Sequence, residues 1–221
     1  PSHNYIAKMK NLWPSWRQKL SMNCSLYVCP GPQSTFILSS SDTLDEFDEA
    51  SNSVESHELD IEFEEVIEMK YLELQELLIA ITRKGKILSY SPESRECSVE
   101  GEFTSSITSA QWSPNQEYLA IYCSDSNLIL QTADLELLLT KNLGLGKNSQ
   151  ITWRGDSKYF QVCAETQTGF RVSTFTASGE LCESHFRSDE EGPVQNVCEK
   201  ETLLTSEVIS WQPSGAYIAG V

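Results

Sequence analysis

The strongest constraint on this chain is a repeat. Trp112 and Trp153 stand 41 residues apart, and each is followed by a polar turn, Ser113-Pro114-Asn115-Gln116 in one case and Arg154-Gly155-Asp156-Ser157 in the other. Another 41 residues upstream lies Tyr71, from which Gln75-Glu76-Leu77-Leu78 falls opposite Gln116-Glu117-Tyr118-Leu119 without a gap. Trp211 heads the related turn Gln212-Pro213-Ser214-Gly215 at a spacing of 58, and the 17 additional residues coincide with the polar stretch Ser188 to Ser206. Tyr71, Trp112, Trp153 and Trp211 are therefore expected to be equivalent repeat positions, each ending an innermost strand and buried against neighbouring units.

One period reads as a four-stranded meander: Ile107 to Trp112, Tyr118 to Cys123, Leu128 to Thr132 and Glu136 to Asn142, with Ser, Pro, Asn and Asp in the intervening turns. Four short strands per period, the first closing on an aromatic before a Ser-Pro or Pro-Ser-Gly turn, describe propeller blades. A β-sandwich has strands at similar spacing but no reason to repeat one turn chemistry at equal intervals. The expected fold is all-β, an incomplete WD-type β-propeller of about four to five four-stranded blades at roughly 40 to 45 residues each, with the last blade truncated. Gly-His and Trp-Asp dipeptides are absent, so the repeats are degenerate. The chain starts at Pro1 and stops inside the apolar run Tyr217 to Val221, which reads as a fragment. Its ring would stay open, leaving unpaired edges and apolar faces that predict marginal stability.

Charge is distributed unevenly. The 221 residues carry 16 Lys and Arg against 32 Asp and Glu, a net charge of −16 that disfavours direct binding of nucleic acid or of an anionic membrane surface. Residues 1–20 form a basic N-terminal segment with Lys8, Lys10, Arg17 and Lys19, and no Asp or Glu appears before residue 42. Residues 42–68 then hold twelve acids and no Lys or Arg. Such a block, interleaved with serines, predicts a solvated acidic loop insertion at 41–60, and residues 188–206 predict a second, polar loop insertion. Residues 21–221 otherwise belong to the propeller. Both loops are expected to be mobile and cut first by protease. Thr43 and Ser188 each precede acids in patterns that acid-directed kinases favour, although an ordinary solvated loop explains them too.

Catalytic motifs are lacking. Seven cysteines, an odd number without a C-x-x-C pair, fit a reducing compartment, and three histidines (His3, His57 and His185) are too few and too scattered for a zinc site. His57, among acids, reads as a charged loop residue. Gly144-Leu145-Gly146-Lys147 fails as a phosphate loop because Lys141 and Asn148 stand where Gly and Ser or Thr are required. Glu183, Ser184 and His185 are adjacent on a solvated outer strand, where alternate side chains point to opposite faces. Arg154-Gly155-Asp156 and Asn23-Cys24-Ser25 match an integrin tripeptide and a glycosylation site, both of which require export, and no signal segment precedes them. The longest aliphatic run, Leu77 to Ile81, is far shorter than the roughly 18 residues of a membrane span. No catalytic, cofactor-binding or metal residue is assigned, and no cofactor is expected.

Three segments taken in order resemble a known family: Ile107 to Glu117, Ile151 to Phe160 with its Thr152-Trp153-Arg154-Gly155-Asp156, and Ser210 to Ala219. They are similar to the N-terminal propeller of the largest Elongator subunits, and Met9-Lys10-Asn11-Leu12 resembles the start of that family. The resemblance spans roughly residues 9 to 221; the acidic stretch at 42–68 is longer than the family pattern and Gly144 to Gln150 is shorter. It implies a non-catalytic scaffold, not an enzyme, that supports transfer RNA wobble-uridine modification. It further implies a second propeller subunit and a catalytic third subunit as partners, homodimerisation through a region outside this chain, and a cytoplasmic location that extends to the nucleus. Another propeller scaffold, such as a transport coat or ubiquitin-ligase adaptor, and a propeller hydrolase are the competing readings.

Overall fold

Short apolar runs broken by turn residues bury their side chains only as short strands in stacked sheets. The computed structural model describes residues 27–48, 50–51, 53–144, 146, 149–165, 170–182, 200–202, 209–211 and 218–220. These hold strands and turns and no helix. Blade 1 comprises β1 (Tyr27–Pro30), β2 (Ser34–Ser40), β3 (Thr43–Asp48) and β4 (Ser53–Glu58). Blade 2 comprises β5 (Val66–Leu72), β6 (Leu77–Thr82), β7 (Lys86–Tyr90) and β8 (Cys97–Glu102). Blade 3 comprises β9 (Ile107–Trp112), β10 (Tyr118–Cys123), β11 (Asn127–Thr132) and β12 (Leu137–Asn142), which is the expected meander nearly residue for residue. Blade 4 comprises β13 (Ser149–Trp153), β14 (Tyr159–Glu165), β15 (Phe170–Thr176) and β16 (Lys200–Thr202). A fifth, truncated sheet pairs β17 (Ile209–Trp211) with β18 (Ile218–Gly220).

Every sheet is an antiparallel meander, and the first strands lie side by side, β1 by β5, β5 by β9, β9 by β13 and β13 by β17. They therefore form the inner wall of the incomplete ring. The core lies between blades. One cluster joins blades 1 and 2 through Phe36, Leu44, Tyr71 and Leu88, another joins blades 2 and 3 through Ile79, Ile81, Trp112 and Ile121, and a third joins blades 3 and 4 through Tyr122, Leu130, Trp153 and Phe160. The second strands β6 and β10 are covered on both faces, which explains the continuous Leu77-Leu78-Ile79-Ala80-Ile81 run, whereas in β2 burial alternates and outer strands such as β8 and β12 are mostly exposed.

Turn chemistry repeats with the strands. The β6–β7 turn needs a left-handed residue and uses Gly85 at φ 95°, where a Cβ would stand 2.7 Å from the Phe103 carbonyl oxygen. The equivalent β10–β11 position is Ser126 at φ 68°.

Blade 1 corrects the sequence reading. Residues 41–60 are not a loop insertion, because Thr43–Asp48 and Ser53–Glu58 are its third and fourth strands. An outer strand buries few side chains, so it tolerates a composition that mimics a solvated loop; in β4 only His57 is buried. Within 188–206, Lys200–Thr202 pairs with β15 as β16, and the rest of that stretch lies outside the described residues, as do residues 1–20. Protease should therefore spare Thr43–Glu58 while the blade is folded, and limited proteolysis with peptide mapping checks this.

Trp112 and Trp153, the buried indoles among the described residues, differ in their polar atoms. Trp153 Nε1 donates to the Gln111 carbonyl at 3.0 Å, whereas Trp112 Nε1 is buried without a hydrogen-bond partner. Trp153→Ala is expected to cost about 3 to 5 kcal/mol in denaturant unfolding. Trp153→Phe should cost more than Trp112→Phe, because only the former breaks a hydrogen bond.

Candidate functional site

An inner strand has a ladder partner on one side only, so its remaining N–H groups need other acceptors. The preceding blade supplies them from side chains. Tyr71 N–H donates to Cys29 Sγ at 3.0 Å, Trp153 N–H to Gln111 Oε1 at 3.1 Å and Ile151 N–H to Ser109 Oγ at 3.0 Å. The Glu68 carboxylate sits near the Trp112 N–H, which favours its charged form. Thr108 and Ser149 hydroxyls meet at 2.8 Å across the blade 3–4 joint.

The ladder register shows where the repeat positions sit. Tyr71 pairs with Leu78, Trp112 with Leu119, Trp153 with Phe160 and Trp211 with Ile218, the same seven-residue offset each time. Tyr71, Trp112 and Trp153 are buried; the side chain of Trp211 lies outside the described residues. Cys29, paired with Phe36 at the same offset, takes this place in blade 1. Sequence reading missed it because the aromatic marker is absent there; the signal available was its position 42 residues before Tyr71. Burial pushes the Cys29 thiol pKa up despite the Tyr71 N–H, so it accepts as a neutral thiol.

A second set of links joins successive turns at one end of the blades. Glu73 N–H donates to Gln116 Oε1 at 3.1 Å, and Asn115 N–H donates to Ser157 Oγ at 3.0 Å. Gln116 and Ser157 are both left-handed, at φ 63° and 60°. Arg154-Gly155-Asp156 forms the inter-strand turn after β13, with Arg154 bound to Asp156 and stacked 4.5 Å over Tyr159. That pairing holds the Asp156 carboxyl well below the usual carboxylate range.

Blade 1 carries an open cleft of about 610 Å³ lined by Ser34, Glu46, Asp48, Ser53 and Glu55, among others. Ser34 Oγ donates to Glu46 at 2.5 Å, and Arg95 of blade 2 reaches Glu55 at 2.7 Å. His57 is not a loop residue: it is a buried strand residue whose Nε2 lies 3.4 Å from Glu46 Oε2, an ion-pair distance without hydrogen-bond geometry. Thr43 opens β3 with its hydroxyl 3.2 Å from Asp42 Oδ1. Ser188, the Glu183-Ser184-His185 run and Asn23-Cys24-Ser25 lie outside the described residues. Among the described residues, no group of three or more His, Cys, Asp or Glu could hold a metal ion, and no helix is long and apolar enough to cross a membrane.

Four-stranded meanders arranged around shared first strands and joined by side-chain links define a β-propeller whose fifth sheet is truncated. The model of the ELP1 first N-terminal β-propeller matches residues 20–150 and 145–221, and the chain belongs to this family. Elongator complex protein 1 of Drosophila melanogaster is 22% identical over 204 residues, covering 70% of this chain and 15% of the relative. Its namesake in Arabidopsis thaliana is 26% identical over 167 residues, covering 68% of this chain and 12% of the relative. The matched part is thus a small fraction of either relative's length. Among solved structures, Kuenenia stuttgartiensis hydrazine synthase superposes with a TM-score of 0.62 over 92% of this chain and 58% of its own, at 12% identity, a likeness of fold alone.

Glu68 generates a prediction about pH. Desolvation on the inner wall pushes its carboxyl up to about 7, against smaller lowering effects from the Trp112 N–H and Lys70. Between the ordinary carboxylate pKa and about 7 the folded state holds a proton that the unfolded state has released, so this group's contribution to stability falls as pH rises through that window. Glu68→Gln keeps a polar group beside the Trp112 N–H and removes the charge. It should raise the unfolding midpoint at pH 8 and leave it nearly unchanged at pH 4, as followed by denaturant titration; a gain equal at both pH values would contradict the assignment.

Proposed function

We propose that this chain is the first propeller of a non-catalytic scaffold subunit of the Elongator complex. In this reading the parent protein supports wobble-uridine modification of transfer RNA through protein–protein contacts. The observation that carries it is the ELP1 propeller family match over residues 20–150 and 145–221, to which two Elongator complex protein 1 relatives add. A propeller offers large rigid ends and edges for binding, and function resides in what those surfaces hold.

The partners in this reading are the second propeller subunit and the catalytic third subunit, with homodimerisation through a region outside residues 1–221. A net charge of −16 disfavours direct contact of this propeller with transfer RNA or an anionic membrane. The protein acts in the cytoplasm and also in the nucleus.

The test is genetic and biochemical. The gene is deleted and then restored either intact or with Trp112 and Trp153 both changed to Ala. The modified wobble uridine is quantified by mass spectrometry, and co-purification of the catalytic subunit is measured alongside. Deletion should abolish modification, the intact gene should restore both readouts, and the disrupted propeller should restore neither fully. Persistence of modification without any copy of the protein would sink the proposal.

A further inference from the structure

Three turns come together at one end of blades 2 and 3. Glu73–Glu76 joins β5 to β6, Pro114–Glu117 joins β9 to β10, and Ala133–Glu136 joins β11 to β12. At the tip of the first stands Leu74, 94% exposed and the most exposed large hydrophobic among the described residues. A single exposed leucine on a mobile loop needs no explanation. Leu74 differs because both of its neighbours are tied to blade 3: Glu73 N–H donates to Gln116 Oε1 at 3.1 Å, and Gln75 Nε2 donates to Asp134 Oδ1 at 3.2 Å. Glu76 completes the turn in the left-handed region at φ 55°. The backbone that carries Leu74 is thus held before any partner arrives, which lowers the ordering entropy that binding would cost.

Charge around this tip has one sign. The three turns contain Glu73, Glu76, Glu117, Asp134 and Glu136, and no Lys or Arg. This is local rather than a reflection of the whole chain. The corresponding turn of blade 4 carries Arg154 and Lys158, and the opposite end of blade 2 carries Arg83 and Lys84 facing Glu65 and Glu64.

We propose that this end of blades 2 and 3 is a docking surface on which Leu74 inserts into an apolar pocket of a partner protein whose rim is built of lysine and arginine. The apolar tip supplies the anchor, and the surrounding carboxylates supply orientation and long-range attraction. A nucleic acid is disfavoured because its phosphates would face these five carboxylates. A symmetric contact with a second copy is disfavoured because it would set the same carboxylates against each other. The proposal does not depend on membership of Elongator.

The test uses the full-length protein purified from its own cells with the proteins that accompany it. Wild type is compared with Leu74→Asp, Leu74→Ser, the charge reversal Glu73→Lys/Glu76→Lys/Glu136→Lys, and Leu137→Asp as an exposed control on β12. A photo-crosslinker placed at position 74 in parallel identifies the partner and the peptide it presents. The same protein should fall at least tenfold in both Leu74 variants and in the charge reversal, dissociate with rising salt, and remain with Leu137→Asp. Its crosslinked peptide should map to an apolar pocket flanked by Lys and Arg, with the unfolding temperature of the variants unchanged. The proposal is overturned if the accompanying proteins are the same in the Leu74 variants as in wild type, if charge reversal has no effect, or if the crosslink is to RNA or to a second copy.

Discussion

Backbone N–H groups on the inner strands have no strand to pair with on their channel side, and the arrangement of the blades follows from how they are satisfied. A carbonyl ladder between inner strands would merge the blades into one sheet. Side-chain acceptors instead allow two first strands to lie together while their sheets splay apart. Cys29 Sγ and Gln111 Oε1 accept from the N–H of the next blade's repeat position, and the Glu68 carboxylate lies near that of Trp112. The three groups differ in chemistry but occupy the same place, so the constraint is on geometry and polarity rather than on residue type. Glu68 shows the cost of using an ionisable group, because the site that orients it also opposes its charge.

Apolar packing then follows the same joints. Among the described residues, each core cluster bridges two neighbouring blades, so blades 1 to 4 hold their core in common. This resembles a repeat solenoid, in which a unit is stable chiefly through its neighbours. It also explains why the second strands of blades 2 and 3 read as nearly uninterrupted apolar runs and the outer strands of blades 1 and 2 as serine- and acid-rich ones.

The legibility of the sequence tracks these physical roles. Blades 2 to 4 were readable because an aromatic with a polar turn behind it marks the end of the first strand, and because the spacing of Tyr71, Trp112 and Trp153 is equal. Blade 1 was not, for two separate reasons. Cys29 fills the marker position with a small thiol, and β3 and β4 carry a run of carboxylates that resembles a disordered segment. Asp45 illustrates the second point: it is buried on β3 and takes a 2.6 Å hydrogen bond from Ser56, an environment that no local pattern announces. The side-chain links between blades were likewise invisible, since Glu68 and Gln111 acquire their role only when sequences about 40 residues apart are brought together. Leu74 could have been noticed as an apolar residue inside an acidic turn, but its fixation by Gln116 and Asp134 could not.

The two sets of links run in opposite senses. On the inner wall, donors belong to the later blade and acceptors to the earlier one; at the turns, Glu73 and Asn115 donate forward to Gln116 and Ser157. Each blade therefore has a leading face and a trailing face with different complements of donors, like the head and tail of a monomer. Two identical faces cannot satisfy each other, so blades join only head to tail. Such a heterologous contact has no built-in stopping point other than closure on itself. The number of blades in such a ring is then set by the small angle added at each joint rather than by any single bond.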